Sequence, residues 1–166
     1  MNQTFMTRPD EALAVHESIY GHNSTFVSLD DGRILQVCLG GAMVHSDDGG
    51  ITWSEEFEGK AANGEPFDGG SASLVKLSGG DIGLATIRQR PGSPNRYESE
   101  MVFRRSADGG RTWSDPPIVM NQCLLRAHAL QDVFLRTQSG RLILPVYFAI
   151  GQGIWHQKGA PYVGGY

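Results

Sequence analysis

Ser46-Asp47-Asp48-Gly49-Gly50-Ile51-Thr52-Trp53 returns later in the chain as Ser106-Ala107-Asp108-Gly109-Gly110-Arg111-Thr112-Trp113. Both stretches read Ser-x-Asp-Gly-Gly-x-Thr-Trp, so Ser46, Asp48, Gly50, Thr52 and Trp53 correspond to Ser106, Asp108, Gly110, Thr112 and Trp113. A motif that returns after a few dozen residues marks a repeat architecture. The paired glycines permit the positive backbone angles of a tight turn. The Asp and Ser side chains accept hydrogen bonds from the amides of their own turn. Thr-Trp then opens a strand, and the indole supplies a large apolar plate for a neighbouring unit. Each motif therefore reads as a structural staple between two strands, with no chemistry of its own.

Working outward, 24–29 and 33–39 are β-rich runs on either side of Asp30-Asp31-Gly32, a hairpin pattern. A third short strand over 42–45 leads into the first motif, and a fourth follows at 51–57. After a connector rich in Gly, Asn and Pro at 59–70, the pattern repeats as strands over 72–77, 81–88, 99–105 and 112–120. The loop Arg90-Pro91-Gly92-Ser93-Pro94-Asn95 lies between the second and third of these. A third unit opens with strands at 131–136 and 141–147 and carries no third motif. Ala12–Tyr20 is also read as a strand.

Composition narrows the function classes. Glycine is abundant at 22 residues, as turn-rich β proteins require, while charged residues are 19% and the net charge is −4. No basic stripe is present for a nucleic-acid partner. No apolar run approaches the ~20 residues of a membrane span. Met1–Phe5 lacks the apolar core of an export signal, so the chain as given reads as soluble, unexported and cytoplasmic. Cys38 and Cys123 have no metal-ligand spacing, and Cys38 sits in an apolar run as a buried thiol would. Neither a metal nor a cofactor is implied.

The two motifs resemble the Asp-box, or BNR repeat, of sialidases (neuraminidases) and their relatives. Gly140–Val146, Gly-Arg-Leu-Ile-Leu-Pro-Val, resembles the G-R-L-x-x-P segment of a later blade in the same proteins. The resemblance spans roughly residues 22 to 150. It implies an all-β fold, a partial β-propeller of about three four-stranded antiparallel blades from a six-bladed ring. One domain over 1–166 would hold blade one at 22–58, blade two at 70–120 and part of blade three at 128–166. An open arc exposes sheet edges, which natural proteins avoid. Two explanations stand: the chain is a piece of a longer protein, or copies assemble as a homo-oligomer that covers the blade edges.

In such propellers the boxes lie on one face, and the starts of the first strands and the loops after the second strands lie on the other. That places His22, Asn23, Arg126 and His128 at strand starts, with Arg88 and Arg90 beside the second of those loops, as candidate substrate-binding residues. Arg88-Gln89-Arg90-Pro91, Tyr97-Glu98-Ser99-Glu100 and Phe103-Arg104-Arg105-Ser106 resemble the segment before the first Asp-box of bacterial sialidases. An acidic loop residue serves there as acid/base. The acids here are Glu98 and Glu100, and with Ser99 opening the strand Glu98 is the catalytic candidate. Its bland alternative is a solvated glutamate at a strand edge.

Sialidases grip the sugar carboxylate with three arginines, whose forked donors match a planar anion. Their first arginine stands in an Arg-Ile-Pro motif, where this chain has His22-Asn23-Ser24. Their nucleophilic tyrosine has no counterpart in Tyr147 or Tyr162. His22, His128 and His156 show no metal spacing and read as polar rim residues. Trp155 and Tyr162 are placed to stack on a sugar or to pack on another blade.

The resemblance thus implies the N-terminal part of a sialidase-like glycoside hydrolase, cleaving a terminal sugar such as sialic acid and inactive alone. The alternative is a non-catalytic propeller that binds a glycan or another acidic ligand. A protein-interaction scaffold is the third reading.

Overall fold

The computed structural model describes residues 24–38, 41–64, 72–94, 99–122, 126–128, 133–149 and 164–165. Regular structure among these is β throughout, with no helix. The first sheet contains β1 (Thr25–Ser28), β2 (Ile34–Val37), β3 (Ala42–Ser46) and β4 (Phe57–Glu58), antiparallel in chain order. β5 (Lys60–Ala61) follows. The second sheet contains β6 (Ala72–Lys76), β7 (Ile82–Gln89) and β8 (Ser99–Ser106); after β9 (Thr112–Trp113) it is completed by β10 (Ile118–Gln122). β5 and β9 pair in parallel and so tie the first unit to the second. β11 (Arg126–His128) opens a third unit. There β12 (Leu135–Arg136) and β13 (Leu142–Ile143) form a hairpin, and β14 (Tyr147–Ala149) lies between β11 and β15 (Gly164–Gly165). None of these sheets closes into a barrel.

The alternation read in the sequence becomes a division of faces. In β1, Thr25 and Val27 turn inward while Phe26 and Ser28 face out. Val27, Leu29, Leu35, Val37 and Met43 of the first unit meet Leu74, Ile82, Leu84 and Trp113 of the second in one buried cluster. The opposite face of the second sheet carries Ala85 and Met101, against which Ile87, Phe134, Leu144 and Val146 pack. β7 and β8 are therefore covered on both faces, which is why β7 reads as a nearly continuous apolar run up to Ile87 and why even the polar Ser99, Glu100, Arg104 and Ser106 of β8 are buried. Gly83 leaves the space that the Phe103 ring fills, and Phe103 meets Phe134 edge-on at 5.9 Å between centroids.

A recurring polar link joins successive units. The fully buried Thr25 hydroxyl accepts a bond from the Leu74 amide at 2.9 Å. One unit further on, the fully buried Ser73 hydroxyl accepts from the Phe134 amide at 3.2 Å. A backbone donor at each inter-unit seam is thereby satisfied without water.

Three strand expectations need correction. The fourth strand of the first unit is only Phe57–Glu58, because residues 51–56 are engaged by the preceding turn: Asp48 takes the Thr52 amide and hydroxyl, and the Ser54 amide bonds the His45 carbonyl at 2.8 Å. The expected strand over 112–120 is split into β9 and β10, with Pro116 between them lacking an amide for a ladder. The expected strand over 141–147 divides at Pro145 into β13, which pairs β12, and β14, which pairs β11. Within the expected connector, β5 forms, and β11 and β15 are additional strands. The Ala12–Tyr20 strand lies outside the described residues.

Candidate functional site

The repeated turns use up their own polar groups. Ser46 Oγ accepts the Gly50 amide at 2.8 Å and donates to Asp48 Oδ1 at 2.8 Å. Asp48 in turn accepts the Thr52 amide at 2.8 Å and the Thr52 hydroxyl at 2.5 Å. Ser106, Asp108, Gly110 and Thr112 repeat the pattern, with bonds of 3.0, 2.8, 2.9 and 2.6 Å. The Thr52 hydroxyl and amide, with help from Ser46, hold the Asp48 carboxyl down at about 2. Burial works to raise Asp108, yet the bonds from Thr112 and Ser106 leave it below its ordinary value. Carboxylates committed in this way organise a turn and are poorly placed for proton transfer to a ligand.

Strand register sets these turns at one end of each sheet. Ser28, Ile34 and Ser46 align at that end of the first sheet, as do Lys76, Ile82 and Ser106 in the second. Arg88, Gln89, Ser99 and Glu100 stand at the opposite end of the second sheet, where β7 and β8 run into the loop between them. Arg88 and Glu100 are direct cross-strand partners. Arg88 Nε and Nη2 both donate to Glu100 Oε2, at 3.0 and 2.9 Å. The Glu100 side chain is 8% exposed and that of Arg88 23%. Arg88 Nη1 and Glu100 Oε1 have no partner among the described residues. One strand step away on the same face, the Thr86 hydroxyl is buried and likewise unpartnered.

This pair carries a stability expectation. Glu100→Ala leaves a partly buried guanidinium without its carboxylate. Full burial would put the cost at about 3–5 kcal/mol, and solvent at Arg88 reduces it to about 2 kcal/mol. Glu100→Gln, which keeps an acceptor, is expected to recover about half of that. Urea unfolding midpoints of the two variants test both values.

The other candidates are placed unevenly. Arg90 is half-buried just beyond β7, and its guanidinium makes no ion pair among the described residues. Arg126 and His128 fall on β11, aligned with Ala149 and Tyr147 of β14, and β11 runs close to β8. The structure thus brings the β11 backbone near the strand that carries Glu100. His22, Asn23 and Glu98, with His156, Trp155 and Tyr162, lie outside the described residues. Sequence reasoning placed Glu98 above Glu100 and did not connect Glu100 with Arg88. The available signal was register: once Ile82 is set opposite Ser106, Arg88 must face Glu100. A cleft of about 240 Å³ lined by Leu77, Ser78, Arg105, Arg136, Gly140 and Leu142 includes none of these candidates. No group of three or more His, Cys, Asp or Glu among the described residues is arranged to hold a metal, and no helix among them is long and apolar enough to cross a membrane.

No family model matches the chain, and no curated protein matches it. Among solved structures it is similar to a protein of unknown function from Dyadobacter fermentans, with 20% identity and a TM-score of 0.49 over 75% of this chain and 33% of that one. It is also similar to a protein described as a sialidase, with 17% identity and a TM-score of 0.49 over 76% of this chain and 12% of that one. The chain therefore spans about a third and about an eighth of the lengths of these two proteins.

Proposed function

We propose that the chain is part of a sialidase-like β-propeller glycoside hydrolase and that it grips the carboxylate of a terminal acidic sugar through Arg88. The observation that carries this reading is the one-sided Arg88–Glu100 pair. One edge of the guanidinium is fixed on Glu100 Oε2, and Nη1 is left for a ligand oxygen at the loop end of the sheet. A guanidinium held along one edge loses little further freedom when it binds an anion. Arg90 is two residues on, and Arg126 and His128 sit on a strand that approaches β8. The turns with Asp-box character support the propeller: they recur, they bond alike, and each follows the third strand of a four-stranded antiparallel sheet. Glu98 remains the proposed acid/base. The arginine absent at His22-Asn23 and the lack of a matching tyrosine nucleophile leave the set incomplete, so this chain alone is proposed to be inactive.

The second reading, a non-catalytic propeller that binds an acidic glycan, is favoured by one feature. Glu100, the described acid nearest the loop, is already engaged by Arg88. Sialyllactose and neutral lactose, titrated against the pure chain by ligand-observed NMR with product analysis, separate the readings. The expected result is saturable binding of sialyllactose alone, weakened about tenfold or more by Arg88→Ala, with no lactose released. Release of lactose would overturn inactivity of the isolated chain. Absence of sialyllactose binding would overturn the grip itself and favour an interaction scaffold.

A further inference from the structure

We propose that His45 is a proton-sensitive clasp, holding the first sheet against the turn of the second at neutral pH and releasing it in acid. His45 lies on β3, and its Nε2 is 2.7 Å from the carbonyl oxygen of Gly109 in the second repeated turn. A carbonyl only accepts, so Nε2 carries a proton in the neutral and in the charged ring alike, and only in the neutral ring is Nδ1 bare. The ring stacks on Phe57 at 4.8 Å with a 16° interplanar angle. Its residue exposure is only 7%. The backbone is fixed as well, since the His45 amide donates to Ser54 Oγ at 3.0 Å. The clasp stands beside the parallel β5–β9 seam, where the Lys60 amide bonds the Arg111 carbonyl at 3.1 Å and the Ala62 amide bonds the Trp113 carbonyl at 2.8 Å.

The charged groups around the ring decide what a second proton does. Arg33 approaches from the start of β2, with a guanidinium nitrogen 3.5 Å from where a side chain on Gly109 would begin. Asp31 holds that guanidinium at 2.7 Å. Arg111, on the docked turn, lies over the Phe57 ring at 5.8 Å. Asp47, two residues along from His45, is the acid that favours protonation. Burial, then Arg33 and Arg111, disfavour the imidazolium and outweigh the Gly109 carbonyl and Asp47, which favour it. A proton on Nδ1 would add a donor that has no partner among the described residues.

The sign follows from linkage. His45 titrates below its ordinary 6.5 in the folded chain, so in that interval the unfolded chain binds more protons. Stability is full above about 6.5 and declines as pH falls toward the folded value. Asp48, held at about 2, and Asp108, held below its ordinary value, are already ionised across this window.

The test combines urea unfolding and amide exchange between about pH 7.5 and pH 5 for the parent and His45→Gln, whose side-chain amide can donate to Gly109 without titrating. In the parent, protection of the Lys60 and Ala62 amides, corrected for intrinsic exchange, is expected to fall severalfold across the window, and in His45→Gln to stay nearly level. The parent unfolding midpoint should decline over the same interval while that of the variant stays nearly level. Equal slopes in the two proteins would overturn the proposal. If His45→Gln does not fold, the imidazole shift of His45 in the parent decides directly. Titration at or above 6.5 would overturn the clasp, and titration below it together with loss of seam protection would establish it.

Discussion

Trp113→Ala is expected to lower stability by about 3–5 kcal/mol, and Trp53→Ala by about 1–2 kcal/mol, although the two residues end identical motifs. Trp113 is 1% exposed and lies in the cluster that joins the first and second sheets. Its Nε1 donates to the Gly110 carbonyl at 2.8 Å, so the indole also braces the turn from which it emerges. Truncation removes the largest fully buried side chain among the described residues and leaves a cavity between two sheets that strand pairing holds in place, which limits collapse. Trp53 is half-buried and rests against Phe26 at 6.1 Å in a tilted contact, and Phe26 itself is 44% exposed. Less area leaves water there, and solvent can occupy the gap. Urea unfolding of the two variants, with midpoints and slopes compared, checks the contrast. Equal losses would mean that the motif acts within its own turn rather than by docking one sheet on another.

What could be read from the chain depended on how local the cause was. The turns were legible because Ser and Asp accept amides, and Asp accepts the Thr hydroxyl, within four residues, so the whole bonding pattern is written in one octapeptide. The first three strands of the first two units were legible from alternation and bounding glycines. The bounds of the fourth strands were not, because in the first unit the Thr52 and Ser54 amides go to Asp48 and His45, and in the second Pro116 breaks the run. Thr25 and Ser73 gave no sequence signal as inter-unit links, since their partners lie 49 and 61 residues away. His45 looked like one polar residue in a short strand, and its partner is 64 residues distant. At the candidate site, Arg88 was legible as a basic residue near a loop. The engagement of Glu100 was not, because it depends on a register that only the folded hairpin sets.

Gly110→Ala is expected to cost about 2–5 kcal/mol, and Gly50→Ala about 1–2 kcal/mol. Both glycines occupy left-handed backbone, with φ of +93° and +95°, so a side chain at either position meets the same backbone penalty. The difference lies in what the new methyl touches. At Gly50 it would meet Trp53 Cζ2 at 3.7 Å, an ordinary contact beside a half-exposed ring. At Gly110 it would stand 2.9 Å from Leu35 Cδ2, 3.3 Å from Leu35 Cδ1 and 3.5 Å from Met43 Sδ. Leu35 and Met43 are both fully buried in the core between the sheets, so neither can yield without disturbing Val27, Leu84 and Trp113 around it. A double-mutant cycle separates backbone from packing. If the clash contributes, Gly110→Ala combined with Leu35→Ala should lose about 1–3 kcal/mol less than the sum of the two single losses, because the truncated leucine makes room for the methyl. Coupling near zero would assign the whole cost to the backbone angle and would remove the close packing of the second turn on the first sheet from the account of what joins them.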